Sequence, residues 1–277
     1  MAGRLEGKVA FITGAARGQG RSHALKLASE GADIVAVDLC EQIETVPYPM
    51  ATAADLDETV AQVQALGRRI VARKADVRVA AEMRDAVEAG AHALGGVDIV
   101  LANAGIFNFS DSAAHISEQE WRDVIDVNLT GVWNTIVPAV PHLRARRGGS
   151  VVITSSVAGN RGLGHMGHYV AAKHGLVGLM RTLAIELAPD WIRVNAIHPT
   201  NVNTQMILNE PTYRLFNPDL DHPNYDDFVK AAHGITLLPV PWVEAGDISN
   251  AVLFLVTDDG RYITGVSLPV DAGQSLK

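Results

Sequence analysis

Short apolar runs rich in β-branched residues alternate with longer segments of helical periodicity along the whole chain. The runs are VAFIT, DIVAVD, RIVARKAD, VDIVLAN, SVVITSS, IRVNAIHP and TGVSLPVD, at 9–13, 33–38, 69–76, 97–103, 150–156, 192–199 and 264–271. Nearly continuous apolar strands separated by helices are typical of a parallel sheet that helices cover on both faces. The pattern predicts an α/β fold: a doubly wound, seven-stranded parallel sheet in a single domain spanning residues 1–277.

The first long helix after the second strand has clear boundaries. Apolar residues recur at helical spacing at Leu56, Val60, Val63 and Leu66. Thr52 and Asp55 precede them with the spacing of a capping box, and Gly67 follows as a stop signal.

Two further helices are predicted at 118–147 and 167–188. Pro138 and Pro141 lie inside the first of them. Because proline lacks a backbone donor and clashes with the preceding turn, this helix is expected to bend or break there.

Two segments interrupt the alternation of strands and helices. Residues 39–53, LCEQIETVPYPMATA, lengthen a connection that usually has about 2 to 6 residues. Residues 205–245 contain five of the 12 prolines and much apolar bulk, at Met206, Ile207, Leu208, Phe216, Phe228 and Trp242. The second segment is predicted to be a lid over the substrate site, because this bulk would be costly to leave in water. The alternative is a mobile surface excursion.

Composition narrows the class of protein. With 48% hydrophobic and 19% charged residues the chain is too apolar to stay disordered, yet no apolar run reaches the ~20 residues of a membrane span. A net charge of -8 argues against a general nucleic-acid binder. The N-terminus runs directly into the first strand without the features of a signal peptide, so a cytoplasmic protein is expected.

A glycine-rich turn follows the first strand. The segment TGAARGQG places Gly14, Gly18 and Gly20 directly before a predicted helix. Glycines there let the backbone approach a pyrophosphate, whose charge then sits at the helix N-terminus. Asp38 ends the second strand, where a carboxylate can bind an adenosine ribose. Together they predict a Rossmann-type dinucleotide site; the alternative is a structural turn with an incidental aspartate.

Two residues bear on the choice between NAD and NADP. Asp38 can accept hydrogen bonds from a free 2′-hydroxyl and would repel a 2′-phosphate, whereas Arg17 could bind that phosphate. At hydrogen-bonding distance the carboxylate is expected to prevail, unless the two residues simply pair. NAD is therefore the predicted cofactor.

The third and fourth strands also end in candidate ligand residues. Asp76-Val77 follows the third strand, and Asn103-Ala104-Gly105 follows the fourth. Ligands bind at the carboxyl ends of strands in such sheets. Taken alone, either sequence is also typical of an ordinary loop.

Three residues predict an acid–base group. Tyr169 and Lys173 lie four apart on one face of a predicted helix, and Ser156 ends the fifth strand. Oxidation of a secondary alcohol requires loss of the hydroxyl proton, but a phenol of pKa about 10 is a weak base at neutral pH. The Lys173 ammonium and a positive nicotinamide would favour the phenolate. Ser156 would orient the substrate oxygen, and Asn128 would hold a water linking Lys173 to solvent.

Together these residues resemble the short-chain dehydrogenases/reductases over nearly the whole chain. The matching motifs, in the order of the family, are TGAARGQG, Asp76-Val77, NAG at 103–105, Asn128, Ser156, and Tyr169 with Lys173. The chain departs from the family at Thr200, where most members have glycine after Pro199, and at Ala102, where most have asparagine.

The resemblance implies further cofactor contacts and a narrower group. The additional contacts would be made by Gln19, Leu39, Pro199, Thr200, Val202 and Thr204, the last to the nicotinamide carboxamide. The 39–53 insertion, HPTNVNTQM at 198–206 and the ending VDAGQSLK are similar to the carveol-dehydrogenase-like subfamily. Its members are proposed to hold NAD tightly and to pass electrons to mycofactocin. A homotetramer is also implied.

The expected substrate is an apolar, terpenoid or other alicyclic secondary alcohol. Candidate pocket residues with few charges are Ile106, Phe107, Val157, Leu163, Met166, Met206, Leu208 and Trp242. The alternative function is a catalytically idle NAD-bound sensor on the same fold. The intact Ser156, Tyr169 and Lys173 argue against that alternative.

No metal is predicted. His165 and His168 have a spacing that can hold a metal, but no third ligand is evident and hydride transfer to a nicotinamide needs none. Cys40 is the single cysteine and is expected to be an ordinary thiol. No G-x-S-x-G motif surrounds Ser156, which argues against a hydrolase.

Overall fold

A computed structural model describes residues 3–277 and places the seven predicted strands in one parallel sheet. The strands are β1 Val9–Thr13, β2 Asp33–Asp38, β3 Ile70–Lys74, β4 Ile99–Ala102, β5 Gly149–Thr154, β6 Ile192–Pro199 and β7 Ser267–Val270. Their order across the sheet is β3-β2-β1-β4-β5-β6-β7. The predicted doubly wound architecture is confirmed, and the order reverses between β1 and β4, where such sheets bind ligands.

Helices cover both faces of this sheet. They are α1 Gly18–Ser29, α2 Ala53–Ala65, α3 Ala80–Leu94, α4 Glu118–Ile125, α5 Gly131–Ile136, α6 Val140–Ala145, α7 Gly167–Leu187, α8 Glu210–Phe216, α9 Tyr225–His233 and α10 Ala245–Val256. Within residues 3–277, no helix combines the length and apolarity that a membrane span requires.

The core lies in two layers, one on each side of the sheet. Phe11 of β1 packs in the layer that α3, α5 and α7 cover, whereas its neighbour Ile12 packs in the layer beneath α1, α2 and α10. Successive strand residues point to opposite faces, so a strand buried on both sides must be apolar throughout. This explains the continuous apolar runs of the sequence.

The predicted capping box of α2 is present. The Thr52 side chain accepts a hydrogen bond from the Asp55 N–H, and the Asp55 carboxylate accepts one from the Thr52 N–H at 2.8 Å. At the other end Gly67 has a φ of 75°, and its N–H donates to the Gln64 carbonyl at 2.8 Å. A left-handed glycine of this kind ends a helix without strain.

The helical stretch over 118–145 is interrupted twice. A π-helical turn at Asp126–Thr130 follows α4 and carries Asn128. A 3₁₀ turn at Val137–Ala139 contains Pro138 and separates α5 from α6, so the predicted interruption near this proline is confirmed. The π turn was not predicted from the sequence, and such turns are frequent at functional sites.

The 39–53 insertion is irregular but well packed. Ile43, Val46 and Tyr48 are buried in the core layer on the α3 side of the sheet. The Gln42 side chain donates to the carbonyl groups of these same three residues, at 3.0 to 3.3 Å. The insertion is thus an ordered part of the domain.

The second insertion contains α8 and α9 and has a small core of its own. Phe228 is completely buried, with its ring centre 5.3 Å from that of Tyr213, 5.0 Å from that of Phe216 and 5.9 Å from that of Trp242. Three of the six apolar residues noted in the sequence, Phe216, Phe228 and Trp242, therefore pack together within this segment.

A buried histidine joins α1 to α10. His23 Nδ1 lies 2.8 Å from Ser249 Oγ, which itself donates to the Ala245 carbonyl. Nδ1 therefore carries the proton and donates it to Ser249. His23 Nε2 is buried and has no partner among residues 3–277, and burial lowers the pKa of this imidazole to about 3.

The free energy of unfolding is expected to fall in acid because of His23. The pKa of His23 is about 3 in the folded protein, below the ~6.5 of an exposed imidazole. Its contribution to the free energy of unfolding is therefore complete above pH ~6.5 and is lost as the pH falls towards 3. The loss between pH 7 and pH 5 is about 2 kcal/mol. Urea unfolding at both pH values measures it. His23→Asn keeps a donor for Ser249 and does not titrate, so an identical pH dependence in both proteins would contradict the assignment.

Candidate functional site

The glycine-rich turn between β1 and α1 forms one wall of a groove at the carboxyl edge of the sheet. Gly20 packs against the turn so closely that a Cβ there would lie 1.9 Å from the Gly14 carbonyl oxygen. Arg17 occupies the N-cap position of α1 without capping it through its side chain, and the first turn has no acidic residue. The helix N-terminus therefore has free N–H groups and the positive end of the helix dipole, which together can bind an anion such as a pyrophosphate.

Asp38 lies at the end of β2 beside this turn. Its carboxylate accepts hydrogen bonds from the N–H groups of Ala16 at 3.0 Å and Cys40 at 3.2 Å. Burial raises the pKa of the Asp38 carboxyl, and the N–H donors oppose that rise. The Arg17 guanidinium does not pair with Asp38 and donates instead to the Pro49 carbonyl oxygen. The carboxylate is thus left for a ribose.

The 39–53 insertion forms the outer wall of the same groove. Ile43, Tyr48 and Met50 line it opposite the glycine-rich turn. The Tyr48 hydroxyl oxygen accepts a hydrogen bond from the Phe107 N–H at 3.1 Å. The sequence did not reveal this contact, because it joins two loops that are far apart in the chain.

The other predicted cofactor residues lie along the same groove. Those that line it are Gly14, Arg17, Gly18, Gln19, Gly20, Asp38, Leu39, Asp76, Val77, Asn103, Ala104, Gly105 and Thr204. Asn103 is fixed by donating to the Thr13 carbonyl at 3.0 Å and accepting from the Thr154 hydroxyl at 3.3 Å. Asp76 forms an ion pair with Arg78 at 2.7 Å. The first four strands thus end in one continuous groove.

Ser156, Tyr169 and Lys173 meet where this groove opens into a second cavity. Ser156 follows β5, and its hydroxyl oxygen accepts a hydrogen bond from the Ala158 N–H at 3.1 Å. One helical turn along α7, Lys173 Nζ lies 5.4 Å from the centre of the Tyr169 ring. The Lys173 ammonium also donates to the Thr154 carbonyl at 2.9 Å, which holds it at the end of β5.

Burial shifts the pKa values of Tyr169 and Lys173 in opposite directions. It raises the pKa of the Tyr169 phenol, and the neighbouring Ser156 side chain acts against this rise. It lowers the pKa of the Lys173 ammonium to about 8, so most of the charge remains at neutral pH. The nearby charge favours a phenolate, but in the protein alone burial outweighs it.

Asn128 holds the loop that follows β4. It is completely buried, its Oδ1 accepts from the Ile106 N–H at 2.8 Å, and its Nδ2 donates to the Ile106 carbonyl at 2.8 Å. Gly105 lies between this amide and the lysine: a Cβ there would lie 3.1 Å from Asn128 Oδ1 and 3.7 Å from Lys173 Nζ. The π turn thus places Asn128 close to Gly105 and Lys173.

A cavity of about 490 Å³ lies beside Ser156 and Tyr169. Its apolar lining comes from Ile106, Phe107, Val157, Leu163, Met166, Met206, Ile207, Leu215, Phe216, Ala231 and Ile235. None of the described residues that line it is Asp, Glu or Arg. Such a surface suits an apolar ligand with few polar groups.

Two residues predicted for this pocket do not line it. Leu208 is absent from the wall, and Trp242 instead stacks on Phe228 inside the second insertion. Gln274 lines the cavity although the sequence did not indicate it, and its Oε1 accepts a hydrogen bond from the Thr200 hydroxyl at 2.5 Å. The sequence does not identify Gln274 as a site residue, because it reaches the cavity only through the path that the chain takes after β7.

The end of β6 and the segment that follows it line one part of the cavity. Pro199, Thr200, Val202 and Thr204 line it there. The Thr204 methyl group lies 3.3 Å from the position that a Cβ on Gly18 would occupy, so this segment faces the glycine-rich turn. This part of the cavity is continuous with the dinucleotide groove.

The two histidines before and within α7 have separate partners. His165 Nδ1 lies 3.0 Å from the Asp111 carbonyl oxygen, in an exposed loop contact. His168 is buried and is hydrogen-bonded to Asn108. Within residues 3–277, no three His, Cys, Asp or Glu side chains are grouped to hold a metal ion.

A dinucleotide groove that ends at a Ser-Tyr-Lys group is the site of a nicotinamide-dependent oxidoreductase. A model of the short chain dehydrogenase family matches residues 8–212. The chain belongs to the short-chain dehydrogenase family, as its motifs predicted.

Individual relatives match over the full length. The (-)-trans-carveol dehydrogenase of Rhodococcus erythropolis is 54% identical over 275 residues, which cover 99% of each chain. The crystal structure of carveol dehydrogenase from Mycobacterium avium in complex with NAD has a TM-score of 0.98 and 55% identity, covering 99% of this chain and 100% of that one. A short chain dehydrogenase from Mycobacterium paratuberculosis bound to NAD has a TM-score of 0.90 and 42% identity, with 99% and 100% coverage.

Proposed function

We propose that this chain is an NAD-dependent alcohol dehydrogenase that interconverts an apolar secondary alcohol and its ketone. The observation that carries the proposal is the position of Ser156, Tyr169 and Lys173 at the junction of a dinucleotide groove and an apolar cavity. Relatives named carveol dehydrogenase and structures determined with NAD support it.

The residues divide the work of the reaction among them. NAD, when bound, accepts the hydride of the alcohol carbon. Tyr169 Oη takes the hydroxyl proton, and in the reverse direction returns it to the ketone oxygen. Ser156 Oγ hydrogen-bonds to the same substrate oxygen and orients it, while the Lys173 charge stabilises the phenolate. Asn128 holds the neighbouring loop and, as the family resemblance implies, a water that links Lys173 to solvent.

The cofactor is bound along the whole groove. The N-terminus of α1, with Gly14, Gly18 and Gly20, binds the pyrophosphate, and Asp38 binds the adenosine ribose. The remaining contacts fall to Arg17, Gln19, Leu39, Asp76, Val77, Asn103, Ala104, Gly105, Pro199, Thr200, Val202 and Thr204. Gln19 Oε1 is buried and has no hydrogen-bond partner among residues 3–277, which supports this assignment because a cofactor in the groove could supply a donor.

The substrate is an alicyclic or terpenoid secondary alcohol similar to carveol. The cavity of about 490 Å³ is within the size range of small-molecule sites. Its described wall contains no Arg and a single Lys, Lys173, so it lacks the paired cationic groups that bind a carboxylate substrate. Residues 205–245 act as its lid: Met206, Ile207 and Phe216 of that segment face the cavity.

A panel of alcohols tests the function. Carveol and cyclohexanol are expected to be oxidised. The kcat/KM for lactate should be lower by at least about a hundredfold, because the described cavity wall has no arginine and its one lysine, Lys173, is held by the Thr154 carbonyl. Each alcohol is assayed with free NAD and with an artificial electron acceptor. A folded protein that binds NAD and oxidises none of them under either condition would refute the proposal and favour an NAD-bound sensor.

Asp38→Ala is expected to reduce the preference for NAD over NADP. The variant removes the group that repels a 2′-phosphate and leaves Arg17 to bind it, so the ratio of kcat/KM for the two cofactors should fall by about tenfold or more. Titration of wild type and variant with both cofactors measures the ratio. A wild-type protein that prefers NADP would contradict this role of Asp38.

The electron acceptor is proposed to be external to the NAD pool and of the mycofactocin type. The support is the position of the 39–53 insertion, which lines the groove and is packed into the core. An insertion held in this way would have to move before the cofactor leaves and would therefore slow its exchange. Higher turnover with the artificial acceptor than with free NAD would agree with this, and equal turnover would contradict it.

The assembly is proposed to be a cytoplasmic homotetramer. Large apolar side chains of α4, α5 and α7 are exposed, with Trp121 at 45%, Trp133 at 49% and Ile185 at 76% of their full accessible area. Apolar surface of this kind is typical of a subunit interface. Light scattering that gives a monomer mass would contradict the assembly, and cell fractionation tests the location.

A further inference from the structure

The backbone N–H of Tyr169 is held by the side chain of the residue before it. Met166 is the N-cap residue of α7, and its side chain makes no capping hydrogen bond. Tyr169 is the third residue of α7, so its N–H has no carbonyl partner within the helix. His168 Nδ1 accepts this N–H at 2.9 Å. His168 therefore caps the helix that carries the acid–base tyrosine.

The other ring nitrogen of His168 reaches the loop after β4. Because Nδ1 accepts a hydrogen bond, Nε2 carries the proton and donates it to Asn108 Oδ1. Asn108 Nδ2 then donates to the Thr45 carbonyl at 3.1 Å. Both His168 and Asn108 are almost fully buried, and burial lowers the pKa of His168, which agrees with a neutral ring carrying one proton.

Thr45 belongs to the 39–53 insertion, and both its carbonyl and its hydroxyl group are hydrogen-bonded. Its carbonyl is held by Asn108, and its hydroxyl donates to the Asp123 carboxylate at 2.8 Å. Asp123 in turn accepts from Arg78 at 3.2 Å, next to Asp76 at the edge of the groove. A continuous chain of hydrogen bonds, fully buried at His168–Asn108 and partly buried elsewhere, therefore joins the start of α7 to the insertion.

We propose that His168 and Asn108 are positioning residues that couple the insertion over the groove to the placement of Tyr169. His168 Nδ1 holds the backbone of Tyr169, and His168 Nε2, through Asn108, holds the insertion closed. The insertion is thus anchored to the acid–base helix as well as to the core, and the two tasks of one imidazole are separable. This inference rests on the proposed function for its effect on catalysis.

Two substitutions of His168 separate these tasks. Asparagine places its amide oxygen near the Nδ1 position, so His168→Asn keeps the acceptor for Tyr169 and loses the donor to Asn108. Glutamine places its amide nitrogen near the Nε2 position, so His168→Gln keeps that donor and loses the acceptor. The readouts are NADH release, followed by stopped-flow fluorescence, and hydride transfer in a single turnover of enzyme loaded with NAD.

The expected results are opposite in the two variants. His168→Asn should speed NADH release about tenfold and slow hydride transfer less than His168→Gln does. His168→Gln should slow hydride transfer about tenfold and speed release less than His168→Asn does. Asn108→Ala removes the side chain that links His168 to Thr45, so it should behave like His168→Asn. The same exchanges at His174, which is exposed on α7, are the matched controls and should change neither rate more than about twofold.

Equal effects of both His168 variants on both rates, or no effect of Asn108→Ala on NADH release, would overturn the coupling. Melting temperatures and NADH binding establish that each variant is folded. The proposed function fails in a different way: the wild type would then oxidise no alcohol, while NADH release from the same variants would still report whether Asn108 anchors the insertion.

Discussion

Tyr169→Phe is expected to lower turnover by at least about a hundredfold while the fold and NAD binding are retained. The substitution removes only the hydroxyl that exchanges a proton with the substrate. The ring keeps its place, since it packs edge-on against Phe107 with 5.5 Å between ring centres, and no cavity is created. Steady-state turnover of an accepted alcohol and NADH binding by fluorescence measure the two expectations.

Tyr262→Phe provides a matched control for this variant. Tyr262 is 80% exposed and does not line the groove or the cavity, so turnover should stay within about twofold of wild type. Turnover of Tyr169→Phe within tenfold of wild type would refute the acid–base role, because general acid–base catalysis contributes ~10²- to 10⁴-fold.

Strand positions were predictable because burial on both faces leaves a continuous apolar run. β1, β2 and β6 have the predicted bounds, whereas β3, β4 and β5 end one or two residues earlier than predicted. The excess residues include Asp76, Asn103 and Ser156, which leave the sheet and form the site. Apolar pattern alone does not separate the last hydrogen-bonded residue of a strand from the first residue of a binding loop.

The candidate site was predictable where its residues are close in the chain. The glycine-rich turn, and Tyr169 with Lys173, are local patterns whose geometry follows from one turn or one helix. Contacts such as that of Tyr48 with the loop after β4, or of Gln274 with the cavity, depend on chain segments that meet only in the folded protein. Arg17 illustrates the difference: the sequence left its pairing with Asp38 open, and in the structure it donates to the Pro49 carbonyl oxygen of the insertion.

Replacement of residues 41–52 by a short Gly/Ser link is expected to speed NADH release by at least about a hundredfold. Ile43, Val46 and Tyr48 of this segment are 6%, 4% and 5% exposed, so opening the groove must bring some of them into water. Each such side chain costs ~1.5 to 3 kcal/mol, and a factor of ten corresponds to ~1.4 kcal/mol. Exposure of two therefore makes the open state rarer by a hundredfold or more, and release waits for opening. Stopped-flow fluorescence of bound NADH measures the rates.

Two single substitutions distinguish an insertion that covers the bound cofactor from one whose loss only destabilises the protein. Gln42→Ala removes the side chain that organises the insertion through three carbonyl groups but leaves the buried apolar residues in place, so release should still become faster. Glu44→Ala changes an exposed residue of the same segment and should leave release unchanged. Equal release rates in wild type, Gln42→Ala and a folded replacement of 41–52 would exclude the insertion as a cofactor cover. The insertion would then stabilise the domain or pack against a neighbouring subunit, and the groove alone would govern cofactor exchange.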